Sequence, residues 1–143
     1  MIVLDTNVIS ELMRAVPAPA VVRWVNARAA TSLFITSITQ AEILHGIQLL
    51  PRGKRRDAIA AAATEVFERD FAGRVLPFGS DAAVAYAGIA AGRRRAGRPI
   101  SSLDAQIAAI ALAHDADLAT RNALDFKGCG VDVIDPWREP GAR

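Results

Sequence analysis

The chain begins with Ile2–Leu4, an apolar run that halts abruptly at Asp5. The run shows no alternation of polar and apolar residues, which is the pattern of a strand covered on both faces, as in a parallel sheet. Further β-like runs follow at residues 32–38 (SLFITSI), 74–78 (RVLPF), 116–120 (ADLAT) and 131–135 (VDVID). Pro77 marks the end or an edge of the third strand, because proline cannot donate to a ladder. Helix-like stretches separate the runs, at residues 10–14, 20–28, 40–50, 57–70, 81–95 and 103–114. Gly97 reads as the cap that ends the fifth of these, and Leu103, Ile107, Ile110 and Ala111 are spaced for one buried face of the sixth. Strands alternating with helices predict an α/β domain around a mostly parallel sheet of about five strands. In such sheets ligands collect at the carboxyl ends of the strands, and Asp5 stands at one.

Bulk properties narrow the class. With 143 residues, 52% of them hydrophobic, the chain is long enough for one domain with a substantial core. Cys129 is the one cysteine, which rules out an intramolecular disulfide and suits a reducing compartment. The first apolar run is broken too early for a signal-peptide core, and no stretch reaches membrane-spanning length, so the expectation is a soluble cytoplasmic protein. A net charge of +2 does not announce nucleic-acid binding. The arginines are nevertheless clustered, in GRRRAGRP (Arg93, Arg94, Arg95, Arg98) and in PRGKRR (Arg52, Lys54, Arg55, Arg56).

The candidate site is a set of acids, each with an ordinary reading of its own. Asp5 could close an Asx turn. Thr39-Gln-Ala-Glu42 fits a capping box, with Glu42 reaching back to the helix start. Asp104, behind Ser101 and Ser102, would favour the positive end of a helix. Thr120, Asn122 and Asp125 lie in LATRNALDF, where turn residues are expected. The conjunction says more. In a parallel sheet Asp5, Glu42, Asp104 and Asn122 would share one edge of the molecule. Carboxylates gathered there repel one another and have raised pKa values unless a cation neutralises them. Oxygen ligands without histidine or cysteine select Mg²⁺ or Mn²⁺, ions that serve phosphodiester hydrolysis. A haloacid-dehalogenase-type phosphotransfer site fits less well, since Asn7 stands where a second aspartate is wanted.

DTN after the first strand, TQAEIL after the second, SSLDAQIAA, and a late LATRN…DF resemble, in that order, a PIN-domain nuclease. The likeness is strongest to the toxins of bacterial VapBC toxin–antitoxin pairs. It implies a three-layer PIN-like domain over residues 1–143 and a Mg²⁺- or Mn²⁺-dependent endoribonuclease leaving 5′-phosphate and 3′-hydroxyl ends. The resemblance maps the metal-binding acids onto Asp5, Glu42 and Asp104, with Thr6 and Thr120 as supporting hydroxyls. Asn122 falls where the family often has aspartate, and Asp125 could compensate. Arg93, Arg94, Arg95 and Arg98 are candidate RNA contacts because they lead into Asp104. Implied partners are RNA, a VapB-type antitoxin laid along the first two helices, a second copy of the chain, and promoter DNA through the antitoxin alone. The alternative is a degenerate PIN-like module that binds RNA or protein without cleaving, a reading that Asn122 favours. His45, His114, Trp24 and Tyr86 read as structural.

Overall fold

The computed structural model describes residues 1–138. Five strands, β1 (Ile2–Leu4), β2 (Leu33–Thr36), β3 (Val75–Leu76), β4 (Asp117–Ala119) and β5 (Val133–Ile134), form one sheet in the order β3-β2-β1-β4-β5. Every pairing is parallel. The described helices are α1 (Thr6–Leu12), α2 (Pro19–Asn26), α3 (Ser37–Gln48), α4 (Lys54–Thr64), α5 (Ser80–Arg95) and α6 (Ser102–Ala113). A single π-type turn, Glu65–Asp70, extends α4.

Residues along each strand alternate between two cores. Val3, Leu118, Phe34, Leu76 and Val133 pack with α5 and α6. Their neighbours Leu4, Ala119, Leu33, Ile35, Val75 and Ile134 pack with α1 to α4 around Val8, Val21, Trp24 and Ile47. Apolar side chains on both faces explain why strands of two to four residues persist without polar alternation. The result is helix, sheet, helix. No helix among the described residues is long and apolar enough to cross a membrane.

Several boundaries differ from the sequence reading, for local reasons. Helix α1 starts at Thr6 rather than at residue 10, because the Asp5 carboxylate accepts the Thr6 N–H. Helix α3 starts at Ser37, capped by the Thr36 hydroxyl, which accepts the Thr39 N–H at 3.1 Å. Thr39 therefore is not the cap and Glu42 is no capping-box partner; it lies a turn further in and is released for other contacts. Helix α4 starts at Lys54 rather than at residue 57, so Lys54, Arg55 and Arg56 form its first turn. Leu103 is 45% exposed, whereas Ile107, Ile110 and Ala111 are buried.

Gly97, at φ +74°, takes the left-handed conformation that ends α5, and its N–H bonds to the Arg94 carbonyl. At the start of α6 the Ser101 hydroxyl accepts the Asp104 N–H at 3.2 Å. Ser101→Ala should therefore cost about 1 kcal/mol in a denaturant titration. An unchanged midpoint would show that water caps this helix equally well.

Candidate active site

The sheet order sets the place of the site. From β1 the chain crosses over to β2 and then β3 on one side, while β4 leads to β5 on the other. The switch point lies between β1 and β4, where a crevice opens beyond the strand ends. Leu4 is in register with Ala119, so the next residues, Asp5 and Thr120, emerge side by side.

Asp5 is buried, and its carboxylate is held on both oxygens. Oδ1 accepts the Thr6 N–H at 2.8 Å. Oδ2 accepts the Thr120 hydroxyl at 2.7 Å and the Asn7 amide at 3.3 Å. Thr120 Oγ1 in turn accepts Asn7 Nδ2 at 3.2 Å and the Asn122 N–H at 3.1 Å. Asn7 Oδ1 accepts the Arg121 N–H at 3.3 Å, which ties the β4 exit to α1. The Thr6 hydroxyl donates to Glu42 Oε1 at 2.7 Å and lies 2.9 Å from the Thr39 hydroxyl. One network thus joins the ends of β1, β2 and β4.

Electrostatics follow from burial. Loss of water pushes the Asp5 carboxyl from 3.8 up to about 6; the Thr120 and Thr6 hydrogen bonds oppose this, and the charges of Asp104 and Glu42 add to it. Asp104 is also raised, first by burial and then by the charge of Asp125, against the Ser101 hydrogen bond and the Arg93 charge. Glu11 is lowered, chiefly by the Ala18 N–H that it accepts at 2.9 Å, and further by Arg14 and Arg121.

A cleft of about 520 Å³ opens over these groups, and Asp5, Thr6, Glu42, Asp104 and Asn122 all line it. The structure brings these residues, drawn from four separate stretches of sequence, to one place. Thr120 lies buried beneath the cleft. Asp125 is exposed and contributes its charge beside Asp104. The arginine cluster is placed otherwise than its sequence suggested. Arg93 is buried, with Nε donating to the Arg98 carbonyl and Nη1 to the Asp125 carbonyl, each at 2.7 Å. It braces the turn after β4, so its guanidinium is not available to RNA. Arg94, Arg95 and Arg98 are exposed but do not line the cleft. The cleft arginines are Arg14 and Arg121, with Glu11, Ser10 and Trp137 completing the wall. Sequence reasoning passed over them because they are isolated residues in unremarkable contexts; the one signal was that Arg121 directly follows Thr120.

Among the described residues, no three acidic, histidine or cysteine side chains form a ready-made metal cage. The donor set nevertheless suits Mg²⁺ or Mn²⁺, which are held by one or two carboxylates and keep several waters. Among the described residues no lysine or arginine forms an ion pair with Asp5, Glu42 or Asp104.

The PIN domain profile matches residues 2–127. The chain is 43% identical to the VapC ribonuclease Y4jK of Sinorhizobium fredii, over 96% of this chain and 98% of that one. It is 37% identical to the toxin FitB of Neisseria gonorrhoeae, over 97% of this chain and all of the other. The solved structure of FitAB bound to an IR36 DNA fragment superposes with a TM-score of 0.90 at 37% identity, covering 97% of each chain. With the acids gathered at the switch point of a parallel sheet covered by helices on both faces, and with these matches spanning nearly its whole length, the chain belongs to the PIN domain family.

Proposed function

We propose that this chain is a Mg²⁺- or Mn²⁺-dependent endoribonuclease, acting in the cytoplasm as the toxin of a type II toxin–antitoxin pair and neutralised by a VapB-type antitoxin. The observation that carries the reading is Asp5: a buried carboxylate, raised to about 6, fixed on both oxygens and open to a cleft that it shares with Glu42 and Asp104. A binding module has no need for a desolvated acid at the floor of an open cleft. Asp5, Glu42 and Asp104 would hold the metal. Bound there, the ion supplies a water of lowered pKa and offsets charge on the phosphate oxygens.

The remaining work falls to the chain. Thr6 and Thr120 hold Glu42 and Asp5 in place by donating to their carboxylates. Asp104 and Glu42 are the groups available to orient a water and accept its proton. Asn122 donates its backbone N–H to Thr120 and accepts the Asp125 N–H at its carbonyl, so its side chain is not needed to hold Asp5. Asp125 keeps a fourth negative charge next to Asp104. Both observations favour an active enzyme over a degenerate module.

A larger apolar groove of about 960 Å³ runs on from the acid cleft, lined by Met13, Val16, Ile43, Ile47, Leu50 and Ile59. It shares Thr6, Ser10, Arg14 and Glu42 with that cleft, and it supports an antitoxin segment seated there. Its walls are α1, α3 and α4 rather than the first two helices. Promoter DNA would be reached through the antitoxin. Pairing with a second copy is proposed through α5 and α6, which leave Val84, Leu103 and Leu112 exposed; sedimentation velocity reads that state.

The reading is tested by incubating the purified chain with a panel of RNAs across a Mg²⁺ and Mn²⁺ titration. Metal-dependent cleavage of at least one RNA is expected, and none at any metal concentration sinks it. Thr120→Val gives a finer test. The hydroxyl favours the charged form of Asp5, so its loss raises that pKa further. Cleavage should fall several-fold at about pH 6.5 and recover towards pH 8.5, moving the acidic limb of the profile upward. A uniform loss at all pH values would assign Thr120 a different role.

A further inference from the structure

We infer that Arg121 and Trp137 form the nucleotide-binding platform of the cleft, in which a base stacks on the Arg121 guanidinium and an adjacent phosphate meets its N–H edge. The inference rests on the ribonuclease reading and names the subsite that positions the RNA. The Arg121 guanidinium lies over the Trp137 ring, 5.1 Å from its centroid, and both residues line the cleft with Asp5 and Asp104. Guanidinium planes and aromatic rings are the surfaces on which unstacked RNA bases settle. Trp137 is anchored for this. Its backbone N–H donates to Asp135 Oδ1 at 2.9 Å, Asp135 Oδ2 lies 3.6 Å from Arg138 Nε, and the ring packs on the core beneath β5.

The other arginines are occupied or elsewhere. Arg14 lies in the cleft but pairs with Glu11 at 3.3 Å, Arg93 is bound internally, and Arg94, Arg95 and Arg98 lie outside the cleft. Among the described residues no carboxylate forms an ion pair with Arg121, whose exposed side chain lies over the Trp137 ring. A phosphodiester entering a cleft floored by acids needs a cation on its far side, and Arg121 supplies one. Its backbone N–H bond to Asn7 sets the platform at a fixed position relative to Asp5.

Trp137 fluorescence tests this in metal-free buffer, where the RNA stays intact. Trp24 is fully buried, so a change in emission on adding oligo-uridylate reports Trp137, and Trp137→Phe should abolish it. Saturable quenching is expected, with binding weaker by about tenfold for an abasic ribose-phosphate strand of equal length. Arg121→Lys keeps the charge and loses the plane, so it should remove the preference for bases. In cleavage assays with metal, Arg121→Gln and Trp137→Ala should raise KM about tenfold and leave kcat within about threefold. Because Trp137→Ala could loosen the core, the exposed Arg121 variants decide the matter if it fails to fold. Silent emission with RNA, equal binding of the abasic strand, a response to a basic peptide alone, or an unchanged KM in Arg121→Gln each overturns the platform. If the native chain cleaves RNA while any of these holds, the ribonuclease reading stands and the platform falls. If the native chain neither binds nor cleaves RNA, both fall.

Discussion

If the proposed ribonuclease reading holds, Asp5→Asn should reduce metal-dependent RNA cleavage by on the order of a thousandfold or more, the scale expected when a preorganised charge at a reacting centre is removed. The amide matches the carboxylate in shape, so it still accepts the Thr6 N–H and meets Thr120. The fold should survive, and circular dichroism with a thermal melt checks that it does. What is lost is the negative charge at the switch point, where Glu42 and Asp104 remain with no partner to share a cation. Cleavage by the variant at the native rate, under matched metal and pH, would remove Asp5 from the mechanism and the metal-dependent assignment with it.

The same substitution should stabilise the metal-free protein above neutral pH. Folding raises the Asp5 pKa from 3.8 to about 6, so the folded chain holds this proton more tightly than the unfolded one. The stability it contributes is fully present below pH 3.8 and is lost as pH rises through about 6. Linkage puts the loss at roughly 3 kcal/mol by pH 8. Asp104, also raised, acts in the same direction, while Glu11, lowered, acts oppositely in more acidic solution. The difference between native and Asp5→Asn chains cancels those shared contributions. In denaturant titrations with chelator present, the variant should be the more stable at pH 8, and its advantage should shrink towards pH 4. Mg²⁺ should narrow the gap at pH 8 by binding the folded native site. A difference that does not vary with pH would show that burial leaves Asp5 unperturbed.

The two expected outcomes together would describe a site maintained at the expense of stability. Desolvation of Asp5 is unfavourable to folding at neutral pH, and the hydrogen bonds from Thr6 and Thr120 offset only part of it. Thr120→Val and Ser101→Ala bear on this balance separately, the first at the Asp5 carboxylate and the second at the helix start that carries Asp104.

The residues by themselves determined the α/β class and the parallel sheet, and singled out Asp5, Glu42 and Asp104 as candidates. These follow from periodicity and from residue chemistry, which act over a few positions of chain: Ile2–Leu4 lacks alternation, and Asp5 closes it. Tertiary structure decided the rest, because contacts between distant segments have no local signature. Thr36 displaced Thr39 as the cap of α3, which freed Glu42 to meet Thr6 across 36 positions of sequence. Arg93, in a run whose sequence suggested RNA contact, turns inward and donates to the Arg98 and Asp125 carbonyls. Arg121 and Trp137, unremarkable in sequence, were brought over the acids by the order of β1, β4 and β5. Local patterning could name Asp5. Only the pairing of Leu4 with Ala119 could set Thr120 beside it and give its carboxylate a buried, bridged and raised state.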